Sequence, residues 1–367
     1  MSAPYLRDSY IVDTPDARNA SEHRSLAAGI DETDVLLLDA LHANPRISFE
    51  KLGPILGLSP ATVGRRWQRL VDAGRAWVSS VPGPQLALVG AVYEVRAFPG
   101  RAVEVAQELA RIPEVISVYA TDGTFDLHAL VLASDMHVLG VLLLEYLPRI
   151  PGIAEAVAHV ATEWHSGIHW RLGAIDTSQK QSVVEAPENV GRAATRDRDF
   201  EPADRDLFLA LQNDGRNRYR DLARQLTTSE QLVRRRLDRL VRRGMISFRT
   251  DFTRREGGWP TEFVLWLTVP AHKIDEVGAA ISEWPETRIC VSVVGAANLM
   301  VMAQVHRPVD VVQILDRLRL TQQQAQVTDQ RIVLRAFKSW GRLLDTEGHA
   351  IGVVPVDPWA RSSSAPG

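Results

Sequence analysis

Two short stretches of the 367-residue chain gather arginine in a pattern that suits a polyanion. Residues 229–243 (SEQLVRRRLDRLVRR) hold six arginines against Glu230 and Asp238, and residues 59–73 (SPATVGRRWQRLVDA) hold Arg65, Arg66 and Arg69 against Asp72. A guanidinium is always charged, neutralises phosphate, and reads guanine with two parallel hydrogen bonds in the major groove. Arg234, Arg235 and Arg236 are adjacent and repel one another unless anions lie close, which favours phosphate over bare solvent as their partner. The candidate DNA contacts are Thr62, Arg65, Arg66, Gln68 and Arg69 in the first stretch and Arg234, Arg235, Arg236 and Arg239 in the second. Arg69 and Arg239 sit two turns into their segments and suit the backbone better than base edges. Thr62 and Gln68 suit phosphate or a base edge. The competing reading for all of them is a solvated helix face.

Little else in the chain has the spacing of a reactive site. His159, Glu163, His165 and His169 fall in AHVATEWHSGIHW, but His-x3-His holds a metal on a helix and this segment reads as strand and loop, so no metal is expected. The lone Cys290 lies in the strand-like RICVSVV and reads as a small buried apolar residue. No phosphate-binding loop, dinucleotide fingerprint, nucleophile elbow or zinc-protease motif occurs, and no cofactor is expected. With 42 basic and 45 acidic residues the net charge is −3, so any affinity for nucleic acid must come from local clustering. No apolar run approaches the ~18 residues of a membrane span, and the acidic N-terminal segment lacks a secretory signal, which points to a cytoplasmic protein without membrane attachment.

The elements that carry the arginines are duplicated. A shift of 170 positions lays residues 34–76 on 204–246 without a gap, matching Asp34 with Asp204, Arg46 with Arg216, Ser59 with Ser229, Arg65 with Arg235, Arg66 with Arg236, Arg69 with Arg239 and Gly74 with Gly244. A weaker echo at 172 pairs Gly123 with Gly295 and Leu127 with Leu299. In each copy a helix is followed by a short second helix and a third that begins at a Ser N-cap, with Pro60 at its first position in copy one. Val63, Trp67, Leu70 and Val71, and Val233, Leu237 and Leu240, face inward on the third helices. Strand-like WVSSV (77–81) and ISFRT (246–250) follow and predict a winged helix-turn-helix. Beyond them each copy alternates in the order βαββαβ, the ferredoxin-like split arrangement.

The expected fold class is therefore α+β, with two winged helix-turn-helix domains (31–80 and 200–250) and two ferredoxin-like sensor-type domains (87–170 and 260–345) in tandem. Residues 176–199 read as a polar linker, and residues 1–30 and 346–367 as tails.

LGLSPATVGRRWQRLVDAGR (56–75) and TDGTFDLHALVL (121–132) resemble the helix-turn-helix and the Gly-containing sensor turn of the Lrp/AsnC family of transcriptional regulators. The resemblance covers roughly 31–170 and 200–345. It implies binding to double-stranded DNA, assembly through the ferredoxin-like domain, and sensing of a small molecule such as an amino acid there. Gly123, Thr124 and Asp126, with Gly295 and Asn298 in the second copy, are the candidate effector residues. The competing reading gives them only turn chemistry, glycine for positive φ and Asp for a side-chain turn bond. Departures from the family pattern are Gly64 inside the first recognition helix, Trp67 at a core position usually held by a smaller aliphatic, and Asn298 where the first copy has Asp126.

The implied assembly is an intrachain pseudo-dimer that associates further into a homo-oligomer. Siroheme decarboxylases share the architecture. An enzyme of that kind is one alternative, although 81–90 carries no basic residue for a polycarboxylate and only Arg249, Arg254 and Arg255 do so in the second copy. An interaction scaffold that does not bind DNA is the other.

Overall fold

The computed structural model describes residues 12–13, 29–166, 172–185 and 200–361. The expected N-terminal tail lies almost wholly outside these residues, as do His169, the second half of the linker and residues 362–367.

Three helices open the first half: α1 (Glu32–Ala43), α2 (Phe49–Ile55) and α3 (Pro60–Asp72). Their starts follow from side-chain caps. Asp31 accepts from the Asp34 backbone N–H at 2.8 Å while Asp34 accepts from that of Asp31 at 3.1 Å. Ser48 and Ser59 cap the next two helices. Leu37, Leu41, Leu52, Val63, Trp67 and Leu70 close the core between them, whereas Val71, expected to face inward, is exposed because it lies one residue past Leu70, beyond the edge of the buried stripe. The strand β2 (Ala76–Pro82) follows.

Next come β3 (Val89–Ala97), α4 (Ala102–Ala110), β4 (Val115–Thr121), β5 (Leu127–Ala133), α5 (Met136–Val141) and the 14-residue β6 (Ile153–Ser166). After α6 (Thr177–Glu185) the second half repeats the order. It has α7 (Pro202–Asn213), α8 (Tyr219–Gln225), α9 (Glu230–Arg242) and β7 (Ile246–Phe252), and then β8 (Thr261–Thr268), α10 (Ile274–Ser282), β9 (Thr287–Val293), β10 (Leu299–Val305), α11 (Val311–Thr321) and β11 (Gln326–Ser339).

The halves join by strand exchange. β2 and β7 pair antiparallel with Ser79 opposite Arg249, its own counterpart at the 170-residue shift, so a pseudo-twofold axis passes through that pair. β6 runs along β3 as far as Val160 and then, from Ala161, along β9 of the other half. β11 does the reverse, pairing with β8 as far as Ile332 and with β4 from Val333. The result is a closed ring of eight strands in the order β4-β5-β3-β6-β9-β10-β8-β11, which leaves no open edge within it. The two sheets face each other across a core that mixes both halves, among them Val92, Ile116 and Leu130 against Val264, Val291 and Met302.

Two expectations need correction. The linker is not a flexible connector at its start, because Thr177–Glu185 is a helix docked on the first helical unit. The Asp39 carboxylate receives the backbone N–H groups of Leu172, Ala174 and Ile175 at 2.7–2.9 Å. Val183 is fully buried and its carbonyl accepts from Asn44 Nδ2. The segment after 345 is also not a loose tail. β12 (Arg342–Leu344) turns into β13 (Ala350–Val353), which pairs in turn with β1 (Val12–Asp13). Val354 and Val356 are buried, the Trp359 indole stacks on Phe200 at 4.6 Å, and Arg205 and Arg361 bind Asp357 and Glu114. The apolar run VVPV and the tryptophan supply the buried area that a polar tail lacks.

Candidate nucleic-acid interface

Each recognition helix, α3 and α9, presents one polar face, and the structure divides the candidate arginines on it into two groups. Arg66 and Arg69 turn back onto Asp34 of α1, Arg66 at 2.9 Å and reaching Asp31 as well. In the second half Arg239 binds both oxygens of Asp204 at 2.7 and 2.9 Å, and Arg236 lies 3.5 Å from the same carboxylate. Asp34 and Asp204 are fully withdrawn from solvent, so these arginines compensate buried charge and set the angle between first and third helix. This accounts for the exact repetition of Asp34/Arg66/Arg69 as Asp204/Arg236/Arg239.

Arg65, Gln68, Arg234 and Arg235 remain exposed. Arg234 and Arg235 form no ion pair among the described residues. Arg65 reaches Thr62 Oγ1 at 3.4 Å, Thr62 Oγ1 also lies 2.8 Å from Ser59 Oγ, and Gln68 donates to Asp72 at 2.7 Å. The outward charge of the second helix therefore exceeds that of the first, where Gly64 stands at the position of Arg234.

Two further arginines, absent from the candidate set, hold the helical units together. Arg46 donates to the carbonyl of Gly215 and, at 3.4 Å, to that of Asn217, while its guanidinium lies over Tyr219 and Phe248. Its counterpart Arg216 donates to the carbonyls of Pro45 and Ile47 and lies over Phe49 and Trp67. Burial, aided by repulsion from Arg46, lowers the Arg216 pKa to about 10. The one sequence signal was the Arg46/Arg216 match in the repeat. Together with the paired strands β2 and β7, this exchange gives the two recognition helices a fixed relation.

The candidate effector residues occupy equivalent turns. Asp126 accepts from the Ala97 backbone N–H at 2.8 Å, and Asn298 accepts from that of Val269 at 2.9 Å while donating to its carbonyl at 2.7 Å. Gly123 has φ +86°, Gly295 begins the matching turn, and the Thr124 carbonyl accepts from Arg96 Nε. These side chains splint a turn to the neighbouring strand end, and the change from Asp126 to Asn298 adds a donor to the same job. On the strand β6, Glu163 and His165 approach Asp275 closely enough for one ion, but His165 Nε2 is engaged by Ser292 Oγ at 2.7 Å. Cys290 is buried, as expected, and burial pushes its thiol up to about 12. Among the described residues no helix is long and apolar enough to cross a membrane.

Helix triplets with exposed basic third helices, joined to βαββαβ modules, define a helix-turn-helix protein with sensor-type domains. Comparison with known proteins makes this specific. Residues 30–71 match the profile of the AsnC-type helix-turn-helix domain, 91–165 that of the Lrp/AsnC ligand binding domain, and 200–247 that of a winged helix-turn-helix DNA-binding domain. The chain is 29% identical over 119 residues to the transcriptional regulator Ptr1 of Methanocaldococcus jannaschii, covering 32% of this chain and 80% of the relative. An uncharacterised helix-turn-helix regulator of Pyrococcus furiosus is 30% identical over 142 residues, 37% of this chain and 95% of that protein. The chain belongs to the Lrp/AsnC family of transcriptional regulators. Over 84% of this chain the fold is similar to 93% of the siroheme decarboxylase NirDL, with a TM-score of 0.53 and 14% identity. At that identity the likeness concerns the fold alone.

Proposed function

We propose that the protein is a sequence-specific regulator of transcription that binds double-stranded DNA through α3 and α9, two recognition helices of one cytoplasmic chain. The observation that carries this reading is the pair Arg234 and Arg235, exposed side by side on α9 while their neighbours Arg236 and Arg239 are spent on Asp204. Two adjacent guanidiniums, exposed on the outer face of a recognition helix and in no ion pair among the described residues, suit phosphate and guanine. In this reading the architecture is two winged helix-turn-helix units and two ferredoxin-like modules in tandem. The unequal charge of α3 and α9 favours an asymmetric site with the stronger contacts under α9. Small-molecule modulation belongs to the same reading, with the turns at Gly123–Asp126 and Gly295–Asn298 as its first candidates, and so does association of whole chains into a homo-oligomer.

Regulator is preferred to decarboxylase because the entry to the first sensor module, residues 81–90, offers no cation to a polycarboxylate substrate. Selection of bound duplexes from a random pool by the full chain, followed by genomic footprinting, tests the proposal. A recurrent sequence bound by the wild type and lost in Arg234→Ala/Arg235→Ala is the expected result, and recovery of no preferred sequence would overturn it.

A further inference from the structure

The two halves differ where the second wing meets the ring. At the 170-residue shift, Arg249, Asp251 and Arg254 stand where the first half has Ser79, Val81 and Pro84. At the 172-residue shift of the ring strands, Glu262, Arg288 and Gln304 stand where it has Gly90, Ile116 and Leu132. Six positions that are apolar or uncharged on one side of the pseudo-twofold axis are thus polar on the other.

These side chains converge. Arg254 binds the Asp251 carboxylate and donates to Gln304 Oε1 at 3.2 Å, Arg249 Nε donates to Asp251 at 3.3 Å, and Arg288 lies 3.8 Å from it. Glu262 is opposite Gln304 in the β8–β10 register. Arg249, Asp251, Arg288 and Gln304 are each no more than 4% exposed.

Beside them lies a cavity of about 330 Å³, lined among others by Trp77, Tyr119, Glu262, Arg288, Gln304 and Ala336. The symmetry explains why it is open. In the first half Trp164, opposite Val291 on β9, packs against Gly90 so closely that a Cβ there would sit 3.1 Å from the indole. The counterpart of Trp164 is Ala336, opposite Tyr119 on β4, so the space an indole fills on one side is left over on the other.

Two guanidiniums, Arg254 and Arg288, and two carboxylates, Asp251 and Glu262, line the buried end of the cavity. Burial raises the Glu262 pKa and lowers that of Arg288. Gln304 is fully buried, and its Nε2 has no hydrogen-bond partner although buried donors nearly always have one. Trp77, Tyr119, Phe252 and Trp259 give the walls four aromatic rings, and Arg335, Asp345 and Glu347 are among the polar residues that share them.

We propose that this cavity is a binding site for a carboxylate-bearing small molecule of roughly amino-acid size with an apolar or aromatic body, its carboxylate on Arg288 and Gln304 and its body against the aromatic walls. The volume is at the small end of the range for ligand sites and far below the need of a tetrapyrrole. The site is separate from the Gly123 and Gly295 turns. Because Trp77 and Phe252 belong to the paired wings, an occupant would touch the element that relates the two recognition helices.

The site is tested by calorimetric titration of the full-length protein, without DNA, so that its outcome is independent of the DNA-binding reading. The probes are L-phenylalanine, phenylpyruvate and 3-phenylpropionate, with 3-phenylpropionamide and inorganic phosphate as controls. At least one carboxylate is expected to bind once per chain, with the amide and phosphate binding at least about tenfold more weakly. Gln304→Leu, which installs the first half's residue, should weaken binding about tenfold. Ala336→Trp, which installs the first half's indole, should abolish it while thermal unfolding still shows a folded protein. The proposal is overturned if no carboxylate binds at millimolar concentration, if the amide or phosphate binds as well as the carboxylate, or if Gln304→Leu and folded Ala336→Trp both retain wild-type affinity.

Discussion

Replacing Arg234 and Arg235 together by alanine tests the division of arginines that the structure makes. Each phosphate neutralised contributes about 0.9 to the slope of log K against log salt, so two contacts contribute about 1.8. Between 50 and 200 mM salt, a fourfold change, that corresponds to about a twelvefold part of the wild-type loss of affinity that the double variant no longer shows. Neither side chain is in an ion pair among the described residues, so the variant should unfold at the wild-type temperature. Fluorescence anisotropy on a labelled duplex across a salt series reads the slope directly.

The complementary variant is Gly64→Arg, which places a guanidinium on α3 at the position of Arg234. A Cβ at Gly64 would meet only the Phe49 ring at 3.6 Å, an ordinary contact, so the helix accepts it. Its slope should steepen by about 0.9 if α3 also lies on DNA. A double variant with an unchanged slope would refute the assignment of α9 to phosphate. A double variant that melts early would instead show that these arginines are structural.

Arg239→Met should behave in the opposite way, lowering stability by about 1–3 kcal/mol in urea unfolding because Asp204 loses its two-oxygen partner, and changing the salt slope little. An equally stable variant would show that Arg236 alone satisfies Asp204. Lys338 is fully buried, and burial lowers its pKa to about 7, with Glu114 opposing, while its Nζ donates to the Ile112 carbonyl at 2.9 Å. The folded state therefore binds fewer protons than the unfolded state between about pH 7 and 10.5, and stability should rise with pH across that window. In Lys338→Met that rise should be absent; identical wild-type and variant stability profiles from pH 7 to 9.5 would contradict it. A protease site inserted in the linker should leave halves 1–180 and 195–367 co-eluting at micromolar concentration after cleavage, since β6 and β11 each complete the other half's sheet. Separation under native conditions would argue against the closed ring.

The local elements follow from neighbours along the chain. Ser48, Ser59 and Ser229 act within one turn of their own helices, and the apolar spacing of Val63, Trp67 and Leu70 needs no distant partner, so both helix-turn-helix units and the βαββαβ order could be read before any tertiary contact was known. The duplication was legible for the same reason, as a pattern along the chain.

Which arginines are ion-paired depends on tertiary contacts, because the acceptors that bind Arg66, Arg69 and Arg239 lie 32–35 residues away, and an exposed and an ion-paired arginine look alike on a helical pattern. The docking of VVPVDPW is tertiary as well, since its burial depends on surfaces that Phe200, Arg205 and Glu114 supply from elsewhere. The cavity beside Arg288 belongs to the same class. Trp164 and Ala336 reveal a filled and an empty site only once the exchanged strands place them on equivalent sides of the pseudo-twofold axis, because register between distant strands is set by packing and not by local propensity.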